Sequence, residues 1–106
     1  ANNNYTHLDY YKWLEEEKVK LKAVTCHNNI DISSHIKHAI ISDLLGINHL
    51  VGVEIDYKFE KIEFHAITIL SPNVDVIKFA KKLEEIYDVS ILNKNKGFFV
   101  IDCQKR

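Results

Sequence analysis

Two successive segments, each a helix followed by a β-hairpin, constrain the fold of this chain more than any other feature. The first helix is predicted to begin at Asp31–Ser34, which offers N-cap side chains, and to end at Gly46, a favourable C-cap. Alternation of apolar and polar residues over 51–60 and again over 62–68 predicts two half-buried strands joined by a turn near Glu60. The apolar face predicted for the helix consists of Ile36, Ile40, Ile41, Leu44 and Leu45.

The second unit repeats this order. Ser71-Pro72 supplies a cap and a first-turn proline for the second helix. Residues 89–92 and 98–103 bracket a five-residue loop and predict a final hairpin. Two such units predict an α+β, ferredoxin-like fold over residues 31–106, with one antiparallel sheet and both helices on one face. The buried stripe of the second helix is predicted to be Val76, Phe79, Ala80, Leu83 and Tyr87.

Residues 1–30 are predicted to form an N-terminal helical arm and linker, although residues 5–24 carry two competing patterns. Tyr10, Leu14, Leu21 and Val24 fall on one helical stripe. Residues 18–23 alternate between lysine and apolar side chains, which is typical of an edge strand. A helix that breaks into an extended piece near Val24 is the preferred interpretation, with a strand over 18–26 left open.

Composition limits the classes of function. A chain of 106 residues fits a single domain, and its formal net charge of -1 gives no overall attraction to nucleic acid or to an anionic membrane. No stretch approaches the roughly 20 apolar residues of a membrane span. Two cysteines, Cys26 and Cys103, are too few for a disulfide framework, although one disulfide between them stays possible.

Histidines are the residues that most invite a metal-site hypothesis. His35 and His38 lie one helical turn apart, and a zinc or copper site needs three or four such groups to converge. The simpler interpretation is that both are solvated on the outer side of an amphipathic helix, and that His65 is exposed on a sheet face. The sequence therefore assigns no metal ligand and no cofactor. Further potential ligands are Cys26, His27, His49 and His65.

Patterns typical of RNA binding and catalysis are weak. Residues 96–100 match part of a basic-glycine-aromatic signature of RNA-binding folds, but they stand on the wrong strand for it. Glu15–Glu17 is interpreted as a solvated helix face. Cys26 and His27 are adjacent, so on a strand they point to opposite faces and do not form a thiol–base pair. We expect neither an enzyme nor a nucleic-acid-binding protein.

From Ile36 to Cys103 the order of elements resembles the extracytoplasmic domain of the PilN and PilO type, found in inner-membrane proteins of type IV pilus and type II secretion machines. The similar stretches are Ile62–Thr68, Val76–Glu84, Val89–Leu92 and Phe98–Ile101. Ala66 stands where the family's strand commonly carries glycine. The resemblance covers about two-thirds of the chain and rests on apolar spacing.

The resemblance implies a non-catalytic scaffold domain that pairs with itself or with a sister assembly subunit. It also implies a position at the extracytoplasmic face of the cell membrane, with membrane contact only through a segment outside these residues. Without the resemblance, a cytoplasmic location is expected. The alternative hypothesis is a soluble module on the same fold that senses a small ligand or a metal ion.

Overall fold

A computed structural model describes residues 6–92 and 99–104, which form an α+β fold, as the sequence predicts. No helix within these residues is long and apolar enough to cross a membrane. The described elements are α1 His7–Glu16, β1 Leu21–His27, α2 Ile32–Leu45, β2 Asn48–Phe59, β3 Ile62–Ile69, α3 Val76–Tyr87 and β4 Ile101–Asp102.

The long strand β2 organises a mixed four-stranded sheet. On one edge it pairs with β3 in antiparallel register, which confirms the first predicted hairpin. On the other edge it pairs in parallel with β1 up to Glu54 and with β4 from Tyr57. The prediction of a wholly antiparallel sheet from two α-β-β units is therefore wrong for the described strands.

The second predicted hairpin does not form as expected in its described part. Residues 89–92 carry no strand, because the carboxylate of Glu84 accepts hydrogen bonds from the backbone N–H groups of Ile91 and Leu92 at 3.1 and 3.2 Å. These bonds occupy donors that a β-ladder would use. Residues 93–98, which include the predicted loop, lie outside the described part.

The N-terminal segment divides into a helix and a strand. Thr6 caps α1 in a reciprocal capping box with Asp9. Residues 21–27 of the predicted helical arm instead form β1, so the edge-strand interpretation is correct there. Its faces are reversed, however: Lys22 is buried and Leu21 is exposed, because the register places Lys22 beside His49 under the helices.

Helix α2 has the predicted caps but buries the opposite side. Asp31 accepts from the backbone N–H of Ser34, and Gly46 closes the helix in the left-handed conformation. His35 and His38 are only 5% and 6% exposed, so the prediction of solvated histidines is wrong. His38 hydrogen-bonds to α1 through Nδ1, and His35 hydrogen-bonds to β2 through Nδ1, which offsets part of the cost of burying them. The apolar side chains left exposed are Ile36, Ile40 and Leu44, which we call the α2 stripe.

Helix α3 begins at Val76, with Asp75 as its N-cap in place of the predicted Ser71. The stripe predicted for it is confirmed as part of the main core. That core lies between α3 and one face of the sheet. Its fully buried members include Ile30, Val53, Ile55, Ala80, Ile91 and Ile101.

Helices pack against one face of the sheet and leave the other face exposed in the described residues. The side of β2 that carries Val53 and Ile55 packs against the helices. The other side, which we call the open face, carries Thr25, Gly52 and Ile69 in adjacent register positions. Side chains of Thr25, His65, Ile67 and Ile69 are exposed there, so in the described residues no helix covers this face.

Candidate metal centre

Four potential metal ligands lie together on the open face, and we call them the sheet-face cluster: His27, Glu54, Asp56 and His65. The strand register brings them there from three neighbouring strands. His27 is opposite Glu54 across the parallel β1–β2 pair, and Asp56 is opposite His65 across the β2–β3 hairpin. Residues 54 and 56 share a face because side chains alternate along a strand.

The ligand atoms of the cluster are close enough to converge on one ion. One nitrogen or oxygen from each residue lies within 4.8 Å of the other three. His27 Nε2 is 2.9 Å from Asp56 Oδ1, and His65 Nδ1 hydrogen-bonds to the same oxygen. The distance from His65 Nδ1 to Glu54 Oε2 is 3.7 Å. Asp56 is therefore the centre of the cluster.

Asn28 fixes the position of Asp56. Its side-chain carbonyl accepts the backbone N–H of Asp56 at 3.0 Å, and its amide group lies 3.4 Å from Asp56 Oδ2. The same amide group donates to the carbonyl of Phe99 at 3.1 Å. Groups that orient a ligating carboxylate in this way commonly raise the metal affinity of a site.

The electrostatics keep the central carboxylate ionised. The hydrogen bond from His27, followed by that from His65, lowers the pKa of Asp56 below its ordinary value. Two imidazole nitrogens and two carboxylates form a donor set that suits Zn²⁺ and related divalent transition ions. A bound ion would take the place of the two imidazole protons that now face Asp56.

Neither a protein-family model, nor a curated protein, nor a solved structure matches the chain. The geometry of the sheet-face cluster is therefore the main indication of function.

Of the six histidine and cysteine candidates discussed from sequence, His27 and His65 belong to the sheet-face cluster. Cys26 belongs to the opposite side of β1, as the alternation predicts. His35 and His38 do not join a metal-ligand group, since the cluster on the open face is the one such group among residues 6–92 and 99–104. Sequence reasoning missed Glu54 and Asp56. The β2–β3 hairpin turns over two residues at Glu60, so position 56 lies opposite position 65. This register was the signal in the sequence that could have identified Asp56 as a neighbour of His65.

Three further histidines form a second assembly, which we call the inner histidine layer: the buried His35 and His38 and the partly buried His49. His35 Nδ1 lies 3.1 Å from His49 Nε2, and His49 Nδ1 lies 2.6 Å from Lys22 Nζ. The hydroxyl of Tyr11 bonds to His38 Nδ1 at 2.6 Å. Burial, and then the Lys22 charge, lowers the pKa of both His38 and His49 to about 4.

Other positions discussed from sequence behave more simply. Cys26 and Cys103 are both free thiols, so the structure contains no disulfide between them. Residues 15–17 are exposed, as expected of a solvated helix face. Residues 96–98 of the RNA-binding-like pattern lie outside the described part of the chain.

Proposed function

We propose that this domain is a non-catalytic binding module that takes up one divalent transition-metal ion at the sheet-face cluster. The observation that carries this proposal is the convergence of four ligand atoms within 4.8 Å on an otherwise open sheet face. Exposed ion pairs contribute little to stability, so stability alone is a weak reason for this arrangement. A metal ion uses all four groups at once.

The backbone geometry favours such a role. Strand-to-strand or same-face spacings relate all four ligands to one another, and the sheet holds these spacings rigidly. Zinc–nitrogen and zinc–oxygen bonds of about 2.0–2.2 Å place tetrahedral ligand atoms roughly 3.3–3.6 Å apart, so the two nitrogens bonded to Asp56 must move away from it and the more distant pairs must approach. Because the side chain of His65 is largely solvent-accessible and that of Glu54 partly so, they can make that adjustment.

The first prediction concerns zinc stoichiometry. Titration calorimetry with Zn²⁺ should give one site per chain, and His65→Ala should weaken the affinity by about 100-fold, since it removes a direct ligand. Glu63→Ala is a matched control, because residue 63 lies on the same strand and face but outside the cluster. Its affinity should equal that of the unaltered protein. Zinc binding that survives His65→Ala at full affinity would refute the site.

A second candidate function is the scaffold role implied by the resemblance to PilN and PilO domains. It is supported by the α2 stripe, whose three apolar side chains repeat at one-turn spacing on the outer side of the helix. The occupant we propose is a second copy of this chain. The net charge of -1 gives little repulsion between two copies, and an isologous helix pair would bury both stripes.

The scaffold role goes together with a ferredoxin-like fold and an extracytoplasmic location, which the same resemblance implies. A ferredoxin-like arrangement is supported by the α2–β2–β3 unit and by helices packed on one side of the sheet. The parallel strand β1 is an addition to that architecture. The role would place the domain at the extracytoplasmic face of a pilus or secretion machine, pairing with itself or a sister subunit.

The second prediction separates this role from metal binding. Light-scattering mass measured against concentration should show a dimer, and Leu44→Lys should raise the dimer dissociation constant by about ten-fold or more. Leu8→Lys is the matched control, since Leu8 and Leu44 are 78% and 79% exposed but Leu8 lies on α1. The result should not depend on zinc or chelator. A monomer at all concentrations would refute the scaffold role and leave the metal site intact.

A further inference from the structure

A cleft with a volume of about 430 Å³ opens between α2 and α3, on the helix side of the sheet. Most of its lining is apolar, with Ile36 and Ala39 on α2 and Val74 and Ile77 near the start of α3. The polar lining consists of His35, His49, Ser71 and Asp75. An apolar pocket of this size with a few convergent polar groups is typical of a small-molecule site.

The hydrogen bonds in the inner histidine layer determine where its protons lie. The ammonium group of Lys22 can only donate, so His49 Nδ1, at 2.6 Å, must accept. The proton of neutral His49 is then on Nε2, from which it is donated to His35 Nδ1 at 3.1 Å. The proton of neutral His35 is consequently on its own Nε2.

This last donor has no partner within the described residues. His35 lines the cleft, and its Nε2 atom is buried without a hydrogen bond, so the imidazole ring must turn slightly for a ligand in the cleft to reach that atom. A buried N–H group left unpaired destabilises the fold, because it has lost its hydrogen bonds to water without gaining another. The series of hydrogen-bond donors therefore runs from Lys22 to His49 to His35. It ends at His35 Nε2, whose N–H group lacks an acceptor.

The charge at the start of the series also lacks a counter-ion among residues 6–92 and 99–104. Lys22 is buried beside the rings of Tyr10 and Tyr11, with its ammonium group 5.9 and 5.2 Å from their centroids, and makes no salt bridge there. Two carboxylates lie near the cleft and His35, and both cap helices: Asp31 bonds to the N–H of Ser34 and Asp75 to that of Lys78. An external anion would complement the positive charge of Lys22.

We propose that the cleft binds a small molecule with an apolar body and one carboxylate, and that His35 Nε2 donates a hydrogen bond to this carboxylate. The apolar walls bury the body of the ligand, and the carboxylate supplies the acceptor that the donor series lacks. Asp75 opposes the negative head group, so the head group lies toward His35. This site is separate from the sheet-face cluster and does not depend on a bound metal.

The test uses decanoate and decanol as probes at about pH 7, with titration calorimetry below the concentration at which decanoate forms micelles. Decanoate should bind about ten-fold more tightly than decanol, because both fill the apolar walls but the carboxylate alone carries a charge. His35→Phe should reduce this preference to about two-fold or less.

A second variant keeps the proposal testable if His35→Phe does not fold. Ala39→Phe fills the cleft from an exposed position of α2, so binding of both probes should be lost. Lys37→Phe is the control, since residue 37 is exposed on the same helix and does not line the cleft. Equal affinity for decanol and decanoate, undiminished binding by Ala39→Phe, or no binding of either probe would each overturn the proposal.

Discussion

Acidification from about pH 7 to pH 4 should lower the free energy of unfolding by about 2 kcal/mol through His38 alone, after allowance for solvent screening. Burial and the neighbouring Lys22 charge lower the pKa of folded His38 to about 4, from an ordinary value of 6.5. The unfolded chain therefore binds the proton at a higher pH than the folded chain does. Stability is fully present above about pH 6.5 and is lost as the pH falls toward 4.

The surroundings of the inner histidine layer explain why a proton is poorly tolerated there. Lys22 on β1 and His7 on α1 both oppose a charge on His38. Asp31 at the start of α2 favours protonation of His35, but burial outweighs it and the pKa of His35 is lowered as well. His49 follows the same direction for the same reasons. Each histidine adds to the acid sensitivity of the fold.

Urea denaturation at about pH 7, 5.5 and 4 measures this effect. His38→Gln cannot titrate, so its loss of stability over this range should be smaller than that of the unaltered protein. His7→Gln is the control, since His7 is exposed and its replacement should leave most of the pH dependence in place. Parallel pH profiles for His38→Gln and the unaltered protein would contradict the assignment.

Ile55→Ala should destabilise the domain by about 2–5 kcal/mol. Ile55 is 1% exposed and lies in the middle of the main core, on the central strand of the sheet. Truncation removes three carbon atoms from a packed interior, and neighbours on two elements would have to move to fill the space. For a domain of about 100 residues this loss lowers the melting temperature by roughly 10 °C or more.

Calorimetric melting of Ile55→Ala and Ile62→Ala gives a matched comparison, because the chemical change is the same and Ile62 is 68% exposed on β3. The Ile62 variant should differ from the unaltered protein by about 0.5–1 kcal/mol or less. Equal losses in the two variants would mean that the core does not lie where the structure places it.

The elements of this fold were predictable where the local pattern agrees with the tertiary contacts. The caps of α2 and the β2–β3 hairpin are short-range features, so the sequence contains all the information they need. The side of α2 that faces the sheet could not be predicted in this way. Its apolar periodicity predicts burial of Ile40 and Leu44, whereas hydrogen bonds from Tyr11 and His49, which are distant in sequence, bury His38 and His35.

The candidate site was half predictable for a similar reason. His65 on an exposed sheet face follows from alternation along β3, and its position opposite Asp56 follows from the hairpin register. His27 could not be placed from sequence, because β1 joins the sheet in parallel and the register of a parallel pair depends on the packing of the helix that connects it. Without that register, the sequence gives no indication that His27 lies close to Asp56.

Asn28 carries two requirements that few amino acids meet together. Its φ of 54° lies in the left-handed region, which favours glycine, asparagine and aspartate. Its side chain must both accept from Asp56 and donate to Phe99, which the amide does with two separate atoms, its oxygen and its nitrogen. Because these bonds span the gap between β1 and β4 along one edge of β2, a substitution here would alter the continuity of the sheet and the cluster together. Evolution cannot tune one of them at this position without changing the other.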